Sequence, residues 1–217
     1  MRSEFRFRQI HLDFHTSEHI EGIGSAFRRE QFVQALKTGH VNSVTCFARG
    51  HHGWAYYPSK VVQPHPHLAC NLLGEMVQAC RENDINIPVY ITVQWDELTA
   101  REHPEWRVVH AAQGAGSSLN QMVATWHPVC LSNTGFVEYV TAQALEVVEM
   151  FAPSGLFFDI LIPWECVCGN CIERMRAAGR EPNLSADRLA NHRDLILEFY
   201  ETVSKAVWAR DPDMRMF

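Results

Sequence analysis

Residues 155–171 read Gly155-Leu-Phe-Phe-Asp159-Ile-Leu-Ile-Pro-Trp-Glu165-Cys-Val-Cys-Gly-Asn-Cys171, and they carry the main signals of fold and function. The apolar run before Asp159 predicts a buried strand that ends at a carboxylate. Enzymes built on parallel sheets keep their chemistry at the carboxyl ends of the strands, so Asp159 is a candidate functional residue. The Cys-x-Cys-x-x-Cys pattern that follows it indicates a metal or redox centre.

The rest of the chain alternates predicted strands and helices around this segment. Predicted strands cover 5–14, 41–47, 87–93 and 155–162, a fifth begins at 214–217, and predicted helices cover 28–37, 68–81, 136–151 and 187–210. This alternation predicts an α/β fold with a parallel sheet. Long segments rich in His, Trp, Pro and Gly follow the strands, whereas the segments that follow the helices are short. Functional loops on one face only are typical of a (β/α)8 TIM-type barrel.

A complete barrel takes about 250 residues, whereas this chain has 217. We therefore expect residues 1–217 to form one barrel domain that is incomplete at its C-terminus, with only the N-terminal four to five βα units. A flavodoxin-like sheet of five strands is the alternative fold.

Composition and charge argue against two classes of partner. The net charge is −6 and the chain has no run of Lys and Arg, which argues against nucleic-acid binding. No apolar stretch approaches the roughly 20 residues that span a membrane. The first residues are charged and lack the apolar segment of a signal peptide, so we expect a cytoplasmic protein.

Polar and aromatic residues follow each of the four predicted strands. They are His11, Asp13 and His15; Arg49, His51, His52 and Trp54; Gln94, Trp95, Asp96 and Glu97; and Asp159, Trp164 and Glu165. Aromatic faces stack on the C–H faces of sugars, and imidazoles and carboxylates bind sugar hydroxyls. We therefore predict one sugar-binding pocket that contains His15, His51, His52, Trp54, Trp95 and Asp159.

Asp159 has a catalytic interpretation within that pocket. A carboxylate at a strand end can attack an anomeric carbon while a second acid protonates the leaving oxygen. The alternative is a structural role, in which Asp159 caps a loop or pairs with Arg49. Glu165 lies in a loop and is more simply explained as a solvated acid.

Four of the seven cysteines are spaced for a structural zinc site. Cys166, Cys168 and Cys171 lie in one loop, and Cys130 lies in the loop that precedes the third long helix. Structural zinc takes four such ligands in a tetrahedron, and here it would join two loops without taking part in chemistry. Reduced thiols or a disulfide are the alternatives.

A metal-dependent hydrolase is a further alternative for the strand-end residues. His11 and His15, spaced so that both lie on one face of the first strand, would share a catalytic ion with Asp159.

Several of these motifs resemble a known family. The segments His11-Leu-Asp-Phe-His15, Phe47-Ala-Arg-Gly-His51-His52-Gly53-Trp54, Tyr57-Pro58-Ser59 and His65-Pro66-His67-Leu68 resemble the hypothetical glycosyl hydrolase 6 family, which is related to the α-L-fucosidases. In fucosidases a Lys-His-His-Asp-Gly-Phe signature follows the second strand, and its paired His residues contact fucose. The resemblance implies sugar contacts for His51 and His52. It also implies a nucleophile at Asp159, because Gly155-Leu-Phe-Phe-Asp159 resembles the fucosidase nucleophile segment.

The cysteine pattern resembles a different group, the family 42 β-galactosidases, in which such a loop and an upstream Cys bind structural zinc. Those enzymes have an Asn-Glu pair after the fourth strand, whereas this chain has Asp159-Ile160. The resemblances together imply a retaining glycoside hydrolase most like an α-L-fucosidase, acting on a small sugar glycoside without a catalytic cofactor. The alternatives are a β-galactosidase-like hydrolase and a non-catalytic, truncated carbohydrate-binding barrel. Related proteins with a further trimerisation domain imply a homo-oligomer for a full-length protein.

Overall fold

The sheet of this protein is parallel throughout. A computed structural model describes residues 4–111 and 126–217. Its strands are β1 (Gln9–His11), β2 (Ser43–Arg49), β3 (Pro88–Thr92) and β4 (Gly155–Asp159), and they lie in the order β1-β2-β3-β4. All three neighbouring pairs are parallel. The predicted α/β fold is therefore confirmed, and the sequential strand order is consistent with part of a (β/α)8 barrel.

Six helices connect and cover the strands in the described ranges. They are α1 (Arg29–Thr38), α2 (Leu72–Glu82), α3 (Glu97–Glu102), α4 (Thr134–Phe151), α5 (Gly169–Ala177) and α6 (Ser185–Arg210), and a 3-10 turn covers Pro104–Trp106. The four long predicted helices correspond to α1, α2, α4 and α6. Helices α3 and α5 were not predicted, since both are short and lie in the loops after β3 and β4. None of the described helices is long and apolar enough to cross a membrane.

Most predicted boundaries lie within two residues of the structure, and three elements differ by more. The first strand covers three residues because only these pair with β2, and the alternating Phe5 and Phe7 upstream are 62% and 90% exposed. Helix α2 begins after Asn71, whose side chain accepts a hydrogen bond from Gly74 N and caps the helix. Strand β4 ends at Asp159 because Ile160 has a φ of 60°, a left-handed conformation that β-branched residues rarely adopt.

The end of the chain extends the sheet beyond β4. The backbone N–H of Leu156 donates to the carbonyl of Arg215 at 2.8 Å, and that of Phe158 donates to the carbonyl of Phe217 at 3.0 Å. Met216 forms a parallel bridge with Leu156. The predicted start of a fifth strand at 214–217 is therefore confirmed.

The two faces of the sheet carry different side chains. Val44, Cys46 and Ala48 of β2 belong to the main core, which also contains Leu73 and Val77 of α2. The opposite face carries aromatic rings, of which Phe47 and Tyr90 stack at 3.8 Å with an angle of 7° between their planes. Side chains alternate along a strand, so Thr92 and Asp159 lie on the same face as these rings. This alternation sets polar groups at the carboxyl edge above an aromatic floor.

Candidate active site at the carboxyl edge of the sheet

Four side chains from four successive chain segments meet at the carboxyl edge, and we call His15, His51, Tyr90 and Asp159 the central cluster. The rings of His15 and His51 stack with 3.7 Å between their centroids. The hydroxyl of Tyr90 lies 3.4 Å from His51 Nδ1 and donates to Asp159 Oδ2 at 2.8 Å. Three of the predicted site residues are thus close together, joined by a tyrosine that the sequence did not indicate.

The hydrogen bonds of His15 fix its tautomer. Its Nδ1 accepts from the backbone N–H of His51 at 2.9 Å, and its Nε2 lies 2.8 Å from Asp13 Oδ1. Since Nδ1 is an acceptor and a carboxylate can only accept, the ring proton is on Nε2. Burial lowers the pKa of His15 from 6.5, which favours this neutral form.

His51 has the opposite tautomer. The hydroxyl of Thr92 donates to the carbonyl of Trp95 at 2.8 Å, so its oxygen accepts from His51 Nδ1, which lies 2.9 Å away. The proton of His51 is therefore on Nδ1, and Nε2 keeps its lone pair. Burial lowers the pKa of His51 to about 4, so the ring is neutral at pH 7.

Asp159 ends strand β4 and is only half-buried. Tyr90 holds its Oδ2 atom, whereas Oδ1 has no hydrogen-bond partner among residues 4–111 and 126–217. A carboxylate with one oxygen fixed and one free can act as a nucleophile or bind a cation or a hydroxyl group.

Two tryptophans and one further histidine form an aromatic wall beside the central cluster. The ring centroids of Trp95 and Trp126 lie 6.1 Å apart, with 22° between the ring planes. Both rings meet the His51 ring edge-on, with centroid distances of 5.0 and 5.3 Å. The ring centroid of His52 lies 4.8 Å from that of Trp126. The sequence indicated Trp95 and His52 but not Trp126, whose only signal was its place in the long loop after β3. Flat apolar rings beside polar groups suit the two faces of a sugar.

Trp54 lies apart from this wall. Its indole N–H donates to Glu18 Oε2 at 3.4 Å, and Glu18 also pairs with Arg101 at 2.7 Å. Its ring lies 6.3 Å from that of His65. Within the described ranges no hydrogen bond or ring contact joins Trp54 to the central cluster.

Arg49 is buried behind the edge, and in the described residues it forms no hydrogen bond with the central cluster. Its side chain is fully buried, pairs with the equally buried Asp96 and donates to the carbonyl of Thr92 at 2.9 Å. Its guanidinium also lies 5.0 Å from the ring centre of Tyr139. The alternative in which Arg49 pairs with Asp159 is therefore wrong, since Asp96 is its ionic partner.

Other polar residues of the edge hold loops in place. Gln94 accepts from the backbone N–H of Ile162 at 2.7 Å, and Glu97 binds His127 Nδ1 at 2.7 Å. Glu165 pairs with Arg188 at 2.5 Å, and this hydrogen bond lowers the pKa of Glu165. An ionised, paired carboxylate is poorly suited to donate a proton to a leaving group.

The four predicted cysteines form one compact group. Their Sγ atoms all lie within 4.8 Å of one another, and all four residues are buried. The Sγ atoms of Cys130 and Cys171 are 3.5 Å apart, and the Ser132 hydroxyl lies 3.2 Å from the Cys130 Sγ and 3.4 Å from the Cys168 Sγ. Hydrogen bonding to Cys130 is the leading cause of two opposite shifts, a raised pKa for Cys166 and a lowered pKa for Cys168.

This group fits a metal ion. Thiolates at about 2.3 Å from a tetrahedral zinc lie roughly 3.8 Å from one another, close to the spacing found here. All seven cysteines of the chain are free, so the predicted alternative of a disulfide is not seen. No other group of three or more His, Cys, Asp or Glu side chains with that spacing occurs in the described residues. His11, His15 and Asp159 therefore do not form the ion site that a metal-dependent hydrolase needs.

Comparisons with known proteins agree with this geometry. Residues 28–160 match the family described as hypothetical glycosyl hydrolase 6. The α-L-fucosidase isoenzyme 2 from Paenibacillus thiaminolyticus matches at 38% identity and a TM-score of 0.90, over 98% of this chain and 32% of that enzyme. The chain thus spans about a third of the length of that relative. No curated protein matches the sequence significantly.

More distant structures share the fold. A hypothetical protein from Ruminiclostridium thermocellum matches at 14% identity and a TM-score of 0.62, over 90% of this chain and 92% of that protein. A Thermotoga maritima α-fucosidase in complex with a mechanism-based inhibitor matches at 13% identity and a TM-score of 0.50, over 89% of this chain and 36% of that one.

Proposed function

The chain belongs to the hypothetical glycosyl hydrolase 6 family, and on that premise we propose that it supplies the nucleophile and sugar-binding half of a retaining glycoside hydrolase, most like an α-L-fucosidase. One observation carries the proposal. A half-buried carboxylate, Asp159, is oriented by Tyr90 beside two neutral histidines at the carboxyl edge of a parallel sheet. The 38% identity to an α-L-fucosidase supports fucose as the sugar.

Asp159 is the proposed nucleophile. The free Oδ1 atom uses a lone pair to form a bond to the anomeric carbon as the bond from that carbon to the leaving oxygen breaks. The leaving oxygen keeps the electron pair and takes a proton from a second carboxylic acid. Water then attacks the same carbon, loses its proton to that second group, and releases the Asp159 carboxylate.

The histidines are proposed to bind sugar hydroxyls. His51 Nε2 carries a lone pair, so it accepts a hydrogen bond from a hydroxyl. His15 is held between Asp13 and the backbone of His51, so it fixes the position of His51 as well as lining the pocket. His52 and Trp95 contribute to the wall against which the sugar packs. Trp54, which contacts Glu18, is assigned to the outer rim.

The cysteine cluster is proposed to hold one structural zinc ion. Cys130, Cys166, Cys168 and Cys171 supply four sulfur ligands, which leaves no position for a substrate. A bound zinc would crosslink the loop before α4 to the loop after β4. The cytoplasm is the proposed compartment, because zinc binding requires reduced thiols. A homo-oligomer of a longer protein stays a prediction of the family resemblance.

The stereochemical outcome tests the proposed function. The natural full-length protein that contains this chain is incubated with p-nitrophenyl α-L-fucoside, and the first-formed fucose is observed by proton NMR. We expect the α anomer first. Release of the β anomer first would contradict a retaining mechanism, and cleavage of aryl β-galactosides in preference to fucosides would favour the β-galactosidase-like alternative. Sugar binding without turnover would favour the non-catalytic alternative.

A further inference from the structure

Tyr90 donates the hydrogen bond that holds the side chain of Asp159. It lies in the middle of β3, where it pairs in register with Phe157 of β4, and only 1% of its surface is exposed. Its hydroxyl reaches along the sheet to the end of β4 and donates to Asp159 Oδ2 at 2.8 Å. The hydrogen bond therefore joins the aromatic face of the sheet to the carboxylate at its edge.

The direction of this hydrogen bond is fixed by its neighbours. The proton of His51 is on Nδ1, because the Thr92 hydroxyl oxygen accepts a hydrogen bond from that atom. The same Nδ1 atom lies 3.4 Å from the Tyr90 hydroxyl oxygen. The phenol oxygen is thus approached by a donor on one side and by an accepting carboxylate on the other. Its own proton is consequently directed at Asp159.

The ring of Tyr90 has little freedom to move. It stacks on Phe47 with 3.8 Å between the ring centroids. The ring centroids of His11 and Phe157 lie 5.6 and 5.7 Å from that of Tyr90. A tyrosine held on several sides presents its hydroxyl at a fixed point, and this lowers the entropic cost of orienting the carboxylate.

We propose that Tyr90 is a positioning residue for Asp159, holding Oδ2 so that Oδ1 alone faces the anomeric carbon. The role rests on the proposed function, in which Asp159 is the nucleophile. Donation to Oδ2 keeps the carboxylate in one rotamer. Tyr90 itself does not contact the reacting carbon and exchanges no proton in this role.

Replacement of the hydroxyl tests this role. Tyr90→Phe keeps the ring against Phe47 and removes only the donor oxygen. The matched control is Tyr57→Phe, since Tyr57 is also buried and donates at 2.8 Å to a carboxylate, Glu146, remote from the central cluster. In the natural full-length protein we expect kcat on an aryl fucoside to fall about 10- to 100-fold in Tyr90→Phe, with KM changed much less. The control keeps kcat within about twofold.

A second readout is independent of catalysis. The infrared carboxylate band of Asp159, identified by its loss in Asp159→Asn, should shift in Tyr90→Phe and remain unchanged in Tyr57→Phe. If Tyr90→Phe does not fold, 3-fluorotyrosine at position 90, a stronger donor of the same shape, should shift the band in the direction of a stronger hydrogen bond. An unshifted band in either folded variant overturns the proposal. A shifted band in a protein that hydrolyses no glycoside supports the positioning role and overturns the function proposed for the site.

Discussion

The central cluster and the cysteine cluster are built in opposite ways. The four cysteines are buried, and each sulfur faces other sulfurs of the group. The central cluster is half open, and two of its atoms, Asp159 Oδ1 and His51 Nε2, are left for a ligand. Closed groups of ligands stabilise structure, whereas an open position permits chemistry. This contrast is the one expected between a stabilising site and a reactive one.

The largest expected effect comes from Asp159→Ala. If the open carboxylate is the nucleophile, hydrolysis of an aryl fucoside by the natural full-length protein should fall roughly 10⁴-fold. The melting temperature should remain nearly unchanged, since Asp159 is half-buried and forms one hydrogen bond. Azide should partly restore the rate by attacking from the vacated side.

Asp84→Ala is the matched control for that experiment. Asp84 is an exposed acid that pairs with Arg6, away from the central cluster. Its removal should leave kcat unchanged. Near-normal hydrolysis of every aryl glycoside by Asp159→Ala would assign Asp159 a structural role.

The second prediction concerns the cysteine cluster. There the variant is expected to lose metal and stability, whereas Asp159→Ala is expected to lose activity and keep its stability. Cys168→Ser should lower the zinc content from one ion per chain to well below one, measured by elemental analysis of reduced, purified protein. Loss of the crosslink should lower the melting temperature by about 5–10 °C. The control is Cys80→Ser, another buried cysteine but outside the group, which should keep its zinc. Equal, low zinc in wild type and Cys168→Ser would remove zinc from the proposal.

The third prediction uses the pKa of His51, which burial lowers to about 4 from 6.5. The neutral ring accepts a sugar hydroxyl through Nε2, so fucose affinity should persist below pH 6.5 and fall only as pH drops through about 4. The unfolded chain binds this proton at higher pH than the folded one. Folding stability should therefore decline as pH falls from about 6.5 towards 4.

His51→Gln sharpens this test because glutamine does not titrate. We expect fucose binding, measured by calorimetry at pH 7, to weaken about 3- to 10-fold from loss of the acceptor geometry. The step near pH 4 should become smaller in the variant. An unchanged pH profile in His51→Gln would show that another group controls binding.

The smallest expected effect concerns the aromatic wall. Trp126→Ala should raise KM for aryl fucosides about 2- to 10-fold with kcat nearly unchanged, because it removes apolar contact surface and leaves Asp159 in place. Trp208→Ala on α6 is the control, since that exposed ring lies outside the site. A loss of kcat as large as that of Asp159→Ala would contradict a purely binding role for Trp126.

Hydrophobic periodicity and residue type were sufficient to predict the architecture from the sequence. The buried runs that became β2, β3 and β4 were predicted because a strand covered on both faces is continuously apolar. The predicted fold and the resemblance to the hypothetical glycosyl hydrolase 6 family are both confirmed. The first strand was predicted too long, because an alternating pattern at Phe5 and Phe7 does not by itself supply a partner strand.

The site was predicted less completely, for a physical reason. His15, His51 and Asp159 could be placed at one edge because parallel strands end together. Tyr90 and Trp126 were missed because a buried aromatic residue in a strand or loop has the composition of ordinary core. Their roles depend on contacts with residues 69 and 75 positions away in the sequence, Asp159 and His51 respectively. The assigned roles of the site residues stay predictions until the variants are measured.

The sequence by itself determined which residue types stand at the strand ends and which cysteines can share a metal, since both follow from local spacing. Only the tertiary structure decided which of these groups are free to react. It paired Arg49 with Asp96 and Glu165 with Arg188, and it left Asp159 with one oxygen unpaired within the described residues. The reason is that hydrogen bonds and ion pairs depend on distances of a few ångströms between segments far apart in the chain. Local spacing cannot specify those distances.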